Sequence, residues 1–90
     1  MLGEKDRCFY CGYGGHLDNH HCIEGGTNGR RQTSDKHGLT VMLCRRCHEE
    51  VHRHPNQGID LYLKQTAQKY YEENIGTRED FRRDFIKSYL

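Results

Sequence analysis

Four histidines stand in two short stretches whose spacing suits metal chemistry. His48 and His52 are four residues apart, so on a helix both imidazoles project from one face and can reach the same ion. His20 and His21 are adjacent and lie earlier in the chain. Imidazole binds divalent transition metals, and its ordinary pKa of about 6.5 also suits a general base. Together these residues indicate a metal-assisted phosphodiesterase site.

The adjacent pair carries a geometric condition. Residues 16–24 are weakly typical of a strand, and successive side chains of a regular strand point to opposite faces. His20 and His21 therefore serve one site only if the strand is twisted or bulged there. For a single histidine a solvated or capping role is the simpler interpretation, which we adopt for His16 and His54.

Four of the five cysteines form two Cys-x-x-Cys pairs, a pattern typical of a structural zinc site with four thiolate ligands. The ligands predicted are Cys8, Cys11, Cys44 and Cys47. The pairs are further apart than the ~15 to 20 residues of a compact zinc ribbon, so the chain between them should fold out and return. A mixed site recruiting His16 or His48 is the closer alternative, and disulfides are a weaker one. We assign Cys22 to packing.

Hydrophobic periodicity places these residues on short elements. Leu39, Val41 and Leu43 alternate at period two and predict a second strand over residues 39–43. The Gly-rich, basic stretch 25–36 predicts a long mobile loop between the strands. A helix is expected from Cys44 to just before Pro55, which lacks the N–H that would continue it.

The chain beyond Pro55 has helical periodicity. The first predicted helix ends near residues 74–76 and buries a stripe made of Ile59, Tyr62, Leu63, Thr66, Ala67 and Tyr70. Thr77 with Asp80 resembles a capping box, which starts a second helix. We therefore predict a helical hairpin over residues 57–90, packed on a metal-bound half within a single domain, 1–90.

Composition limits the class of protein. With 33% hydrophobic residues and no Trp in 90 residues, the core is small and needs a metal staple. No stretch is apolar enough for a membrane span, and no secretory segment is evident at the N-terminus, so a reducing, cytoplasmic compartment is expected. A net charge of +1 does not decide the partner, but basic residues cluster near the histidines. These are Arg30, Arg31, Lys36, Arg45, Arg46 and Arg53.

These motifs, in order, resemble a known family. The order is Cys-x-x-Cys, then Asp-x-His-His followed by an apolar residue, then Leu-Cys-x-x-Cys-His-x-x-x-His. It is similar to that of the zinc-stapled HNH endonucleases, and particularly to the short HNH proteins of bacteriophages. The resemblance covers residues 8–54 well and the helical tail less specifically. It implies a ββα-metal (His-Me finger) core, and so a small, zinc-stabilised α+β fold.

The resemblance also implies roles for individual residues. His21 resembles the general base, while His20, His48 and His52 resemble ligands of a catalytic divalent ion. Three imidazole ligands suit Zn²⁺, Ni²⁺ or Mn²⁺ better than Mg²⁺, which prefers oxygen ligands. The family has an asparagine before the second strand where this chain has His37, and the resemblance leaves two candidates for its role, His37 and Asn28.

The function expected from these roles is metal-dependent hydrolysis of DNA in the cytoplasm of a bacterial host. His21 would activate water, and the ion would stabilise the transition state and the leaving oxygen. Arg30, Arg31 and Lys36 would hold phosphates of duplex DNA with loose sequence preference. The alternative is a non-catalytic zinc module that binds nucleic acid or a protein partner, for example in a phage packaging or host recombination complex.

Overall fold

The computed structural model describes residues 1–23, 36–85 and 88–90. In these ranges two antiparallel strands precede three helices, which confirms the α+β class. The elements are β1 (Leu17–His21), β2 (Thr40–Cys44), α1 (Arg45–Arg53), α2 (Gly58–Asn74) and α3 (Arg78–Phe85). The predicted mobile loop falls outside the described residues except for Lys36, which is exposed.

The two strands pair in a regular register. Leu17 lies opposite Cys44 and His21 opposite Thr40, with one partner for every residue between them, so no bulge interrupts β1. Alternation then places Asp18 and His20 on one face of β1 and His21 on the other. The N-terminal segment runs along the second edge of β2, where the N–H of Leu2 donates to the carbonyl of Thr40 at 2.7 Å.

Strand β2 passes into α1 without a linker. Cys44 ends the strand and caps the helix, since its Sγ accepts a hydrogen bond from the N–H of Cys47 at 3.5 Å. Val41 and Leu43 of β2 and Val51 of α1 are buried in the core. Because one residue joins the two elements, the direction of α1 relative to the sheet is fixed at Cys44.

Helix α2 buries a different stripe from the predicted one. Leu63 and Ala67 are buried as expected, but Tyr62 and Tyr70 are 49% and 39% exposed. The buried face consists of Asp60, Leu63, Lys64, Ala67, Gln68 and Tyr71. The prediction failed because three polar side chains on this face are buried through specific partners, which hydrophobic periodicity does not register.

One of these polar groups closes the turn between α1 and α2. Asp60 Oδ2 accepts hydrogen bonds from Lys64 Nζ at 2.8 Å and from the N–H of Asn56 at 2.6 Å. Lys64 Nζ also donates to Asn56 Oδ1 at 2.7 Å. Asn56 has φ 62°, a left-handed conformation that asparagine tolerates better than most residues. The ion pair therefore holds this turn in place.

The C-terminal elements pack on α2. The predicted capping box is confirmed, because the N–H of Asp80 donates to Thr77 Oγ1 at 3.1 Å and the N–H of Thr77 to Asp80 Oδ2 at 2.9 Å. Phe81 and Phe85 are buried, and Phe81 packs edge-on against Tyr71. Among the helices that the structure describes, none has the length and apolarity needed to cross a membrane.

Candidate metal centres

The four cysteines of the Cys-x-x-Cys pairs converge on one point. Their sulfur atoms all lie within 4.8 Å of one another, with Cys8, Cys44 and Cys47 buried and Cys11 exposed. Each pair closes a similar turn, because the N–H of Cys11 donates to Cys8 Sγ at 3.5 Å just as that of Cys47 donates to Cys44 Sγ. Gly12 follows with φ 83°, a conformation open to glycine.

The distances in this group suit zinc. The sulfurs of Cys11 and Cys44 are 3.7 Å apart. Four Zn–S bonds of about 2.3 Å in a tetrahedron place sulfurs ~3.8 Å from one another. No disulfide joins any of the five cysteines. The group can therefore hold a structural metal ion such as zinc, and the mixed site with His16 or His48 is not what the structure forms.

The electrostatics of the group also favour a cation. Burial acts to raise the pKa of Cys8, but hydrogen bonds from backbone N–H groups, beginning with that of Cys11, outweigh it and lower that pKa to about 6. Burial and then hydrogen bonds with the other three sulfurs raise the pKa of Cys47 well above its usual range. Several thiolates at one point repel each other, and a divalent ion between them would remove that cost.

Cys22 does not belong to this group. It is 1% exposed in the core, and burial raises its pKa to about 12. This confirms the packing role predicted for it.

Three histidines form a second cluster on the other side of α1. Ligand atoms of His20, His48 and His52 lie within 4.8 Å of one another. The Nε2 atoms of His48 and His52 are 3.2 Å apart, close to the ~3.3 Å expected between two nitrogens bound tetrahedrally at about 2.05 Å. His20 is buried, including both of its ring nitrogens, while His52 is exposed. The cluster thus has one buried and one open side.

Asp18 joins this cluster, which the sequence analysis did not predict. Its Oδ2 accepts a hydrogen bond from His48 Nδ1 at 3.1 Å, and Arg45 Nε lies 3.3 Å from the same oxygen. The hydrogen bond from His48, followed by the charge of Arg45 and a hydrogen bond from His16, lowers the pKa of this carboxyl. The one available signal was its position two residues before His20, on the same face of β1.

An open cleft of about 940 Å³ reaches His48 and His52 of the histidine cluster, whereas His20 is buried. It is lined by Leu17, Asp18 and Asn19 of β1 and by Arg45, His48, Glu49, His52 and Arg53 of α1. Arg45 and Arg53 stand near the two ends of α1 and are 67% and 63% exposed. The cleft therefore presents two imidazoles between two guanidinium groups, together with the carboxylates of Asp18 and Glu49.

The remaining predicted site residues lie in different places. His21 is half-buried at the end of β1, next to His20 in the chain but on the opposite strand face. His37 Nε2 lies 3.5 Å from Asp84 Oδ2, and its ring packs against Tyr71. These contacts place His37 with the C-terminal helices rather than in the histidine cluster. The predicted phosphate contacts Arg30 and Arg31, together with Asn28, lie outside the described residues.

Comparisons with known proteins add no relative. No family model matches the sequence, and neither the curated proteins nor the solved structures give a match. What the chain can do is therefore argued from its own side chains.

Proposed function

We propose that the chain is a metal-dependent endonuclease of the HNH type, with a ββα-metal core in residues 8–54, that hydrolyses phosphodiester bonds of DNA. The observation that carries the proposal is the convergence of three imidazoles, from His20, His48 and His52, the last two of which line an open cleft. The β1–β2–α1 order around it, with a four-cysteine group behind the helix, supports the same assignment.

The three histidines fit a divalent ion. Their donor set is neutral nitrogen, which suits Zn²⁺, Ni²⁺ or Mn²⁺ better than Mg²⁺. When bound, the ion supplies positive charge that stabilises the reacting phosphate and the leaving oxygen. His52 is exposed and lines the cleft, so an ion held by the cluster could also bind a ligand that enters through the cleft. The chain's part is to hold three imidazoles in place before substrate arrives.

His21 is the proposed general base. It is half-buried and follows His20 directly, at the end of β1. Its side chain leaves the strand on the face opposite His20, and the regular register of β1 contains no bulge that would turn both side chains to one face. The proposal therefore requires the scissile phosphate to lie at the edge of β1 that points away from β2. There a neutral imidazole accepts a proton from the attacking water at its unprotonated ring nitrogen.

Arg45 and Arg53 extend the site along α1. Both line the cleft that contains His48 and His52, and both are exposed. Their guanidinium groups hold phosphates next to the scissile one, through contacts that carry little base specificity and weaken as salt rises. Lys36, also exposed, remains a further candidate for such a contact. The substrate proposed is duplex DNA with loose sequence preference, cut in the reducing cytoplasm of a bacterial cell.

Plasmid nicking tests the proposal. Zinc-loaded protein is incubated with supercoiled plasmid and Mg²⁺, Mn²⁺, Ni²⁺ or Zn²⁺, and wild type is compared with His21→Ala, His48→Ala and the matched control His54→Ala. His54 is exposed beyond α1 and outside the cluster. We expect nicking by wild type and the control, and a loss of about 100-fold or more in the other two. Equal activity in His21→Ala rejects the base, and no nicking with any ion rejects the nuclease.

A non-catalytic zinc module is the second candidate. The four-cysteine group favours it, because such a group can hold a structural ion without any chemistry at the histidines. Metal counting separates the two candidates. One tightly held zinc per chain, with no second divalent site in a titration, supports a module that binds nucleic acid or a protein, for example in a phage packaging or recombination complex.

A further inference from the structure

Asp18 connects the two elements that build the histidine cluster. It lies on β1, and its Oδ2 accepts a hydrogen bond from Nδ1 of His48 on α1 at 3.1 Å. The same carboxylate accepts from His16 Nε2 at 3.2 Å through Oδ1 and lies 3.3 Å from Arg45 Nε through Oδ2. Its side chain is 22% exposed. The carboxylate is therefore held by three groups, one of which is a candidate metal ligand.

The contact determines which nitrogen of His48 faces the cluster. With Nδ1 carrying the proton that is donated to Asp18, Nε2 is left as the nitrogen with a lone pair. This Nε2 lies 3.2 Å from Nε2 of His52, and the ring of His48 packs edge-on against that of His20 with centroids 5.2 Å apart. A carboxylate behind an imidazole in this way fixes the tautomer and ring orientation of a metal ligand and increases its basicity.

We propose that Asp18 is a positioning residue that fixes His48 as the Nδ1–H tautomer and thereby sets the affinity of the His20, His48 and His52 cluster for a divalent ion. The inference rests on the ion site of the proposed function but not on nuclease activity.

Two replacements separate the two contributions of Asp18. Asp18→Ala removes both the charge and the acceptor for Nδ1–H. Asp18→Asn keeps an oxygen acceptor but removes the charge, so it should retain part of the effect. His16→Ala is the matched control, because it removes another hydrogen bond to the same carboxylate and leaves His48 untouched. His52→Ala removes a proposed ligand, so the part of the Ni²⁺ binding that it abolishes belongs to the histidine cluster.

The first measurement is Ni²⁺ binding by calorimetry to protein whose zinc content is one per chain. We expect Asp18→Ala to bind Ni²⁺ about 10- to 100-fold more weakly than wild type, with Asp18→Asn in between and His16→Ala within about twofold of wild type. Circular dichroism and zinc content confirm that each variant is folded. Wild-type affinity in folded Asp18→Ala overturns the inference.

The second measurement reads the tautomer itself. In protein without Ni²⁺, the ¹⁵N shifts of the His48 ring report which nitrogen carries the proton. We expect the Nδ1–H form in wild type and His16→Ala, and a reduced population of that form in Asp18→Ala. An unchanged tautomer in Asp18→Ala contradicts the inference even if affinity falls.

The outcomes for the inference and for the proposed function are distinguishable. If plasmid is not nicked but Asp18→Ala weakens Ni²⁺ binding and shifts the tautomer, only the nuclease function is rejected. If wild-type protein binds no Ni²⁺, or binds it only in a way that persists in His52→Ala, the ion site and the role of Asp18 are both rejected.

Discussion

Cys47 and His48 are neighbours in α1, yet they belong to different clusters. Cys47 faces the four-cysteine group, whereas His48 faces His20 and His52. Consecutive helical residues are about 100° apart around the axis, so one helix serves two ligand groups on two of its sides. The histidine geometry therefore depends on what fixes the N-terminal turn of α1, and Cys44 and Cys47 of the four-cysteine group lie in that turn.

The dependence on this group is tested by Cys44→Ser. The core is small and Cys44 both caps α1 and contributes a candidate ligand, so we expect loss of bound zinc and unfolding of the domain. Cys22→Ala is the control, because Cys22 is also buried but lies outside the group. It should keep zinc and lose only about 1 kcal/mol of stability. Native circular dichroism and a normal thermal transition in Cys44→Ser would contradict the expectation.

The buried ion pair in α2 predicts an uneven response to lysine replacement. Lys64 is 9% exposed and pairs with Asp60, which is 4% exposed. Lys64→Met leaves the carboxylate buried without its cation, and we expect the free energy of unfolding to fall by about 3 kcal/mol. Lys69→Met, on the exposed side of the same helix, should change it by less than about 0.5 kcal/mol. Urea unfolding measures both, and similar values for the two variants would refute the assignment.

Tyr71 predicts a loss of stability at alkaline pH. Burial, and then its hydrogen bond to Asp84 at 2.7 Å, raises the pKa of Tyr71 from 10 to about 12. Below pH 10 both folded and unfolded chains keep this proton, so the contribution is fully present. As pH rises from about 10 to 12 the unfolded chain loses it first, and stability falls.

Tyr71→Phe removes the group responsible for that fall. At pH 8 it should cost about 1 kcal/mol, through the lost hydrogen bond. Between pH 10 and 12 its stability should decline less steeply than that of wild type. Tyr62→Phe, an exposed tyrosine on the same helix, should follow the wild-type curve. Denaturant unfolding at several pH values checks this, and parallel curves for Tyr71→Phe and wild type would count against it.

The capping box of α3 predicts a smaller effect. Thr77 Oγ1 accepts from the N–H of Asp80 in the first turn, so Thr77→Ala should lower stability by about 1 kcal/mol. Thr66→Ala is the control, since Thr66 donates to the carbonyl of Tyr62 within α2, where alanine is the better helix former. Thermal unfolding compares them. A Thr77→Ala protein as stable as the control would show that the cap contributes nothing.

The features that could be predicted from the sequence are those that depend on residues close together in the chain. Repeats such as Cys8 with Cys11, or His48 with His52, fix relative positions within one turn or one helix, and the capping box at Thr77 is equally local. The alternation of Val41 and Leu43 placed β2 within one residue of its observed start.

What escaped prediction depends on contacts between distant parts of the chain. Gln68 is fully buried because it donates to Ser88 Oγ and accepts from the N–H of Tyr89, so a polar residue occupies a core position. The bond between Asp18 and His48 crosses from strand to helix, and neither residue's type indicates the other. Such partners become visible only when the elements are packed.

The single-residue junction at Cys44 makes this chain intolerant of changes in length at one point. An extra residue inserted after Cys44 would turn the rest of α1 by about 100° and advance it by about 1.5 Å, so that His48 and His52 would no longer face His20. An insertion beyond His54 leaves that phase intact. Among homologues with an equivalent site, the number of residues between Cys44 and His48 should therefore be invariant, whereas the turn after His54 varies in length.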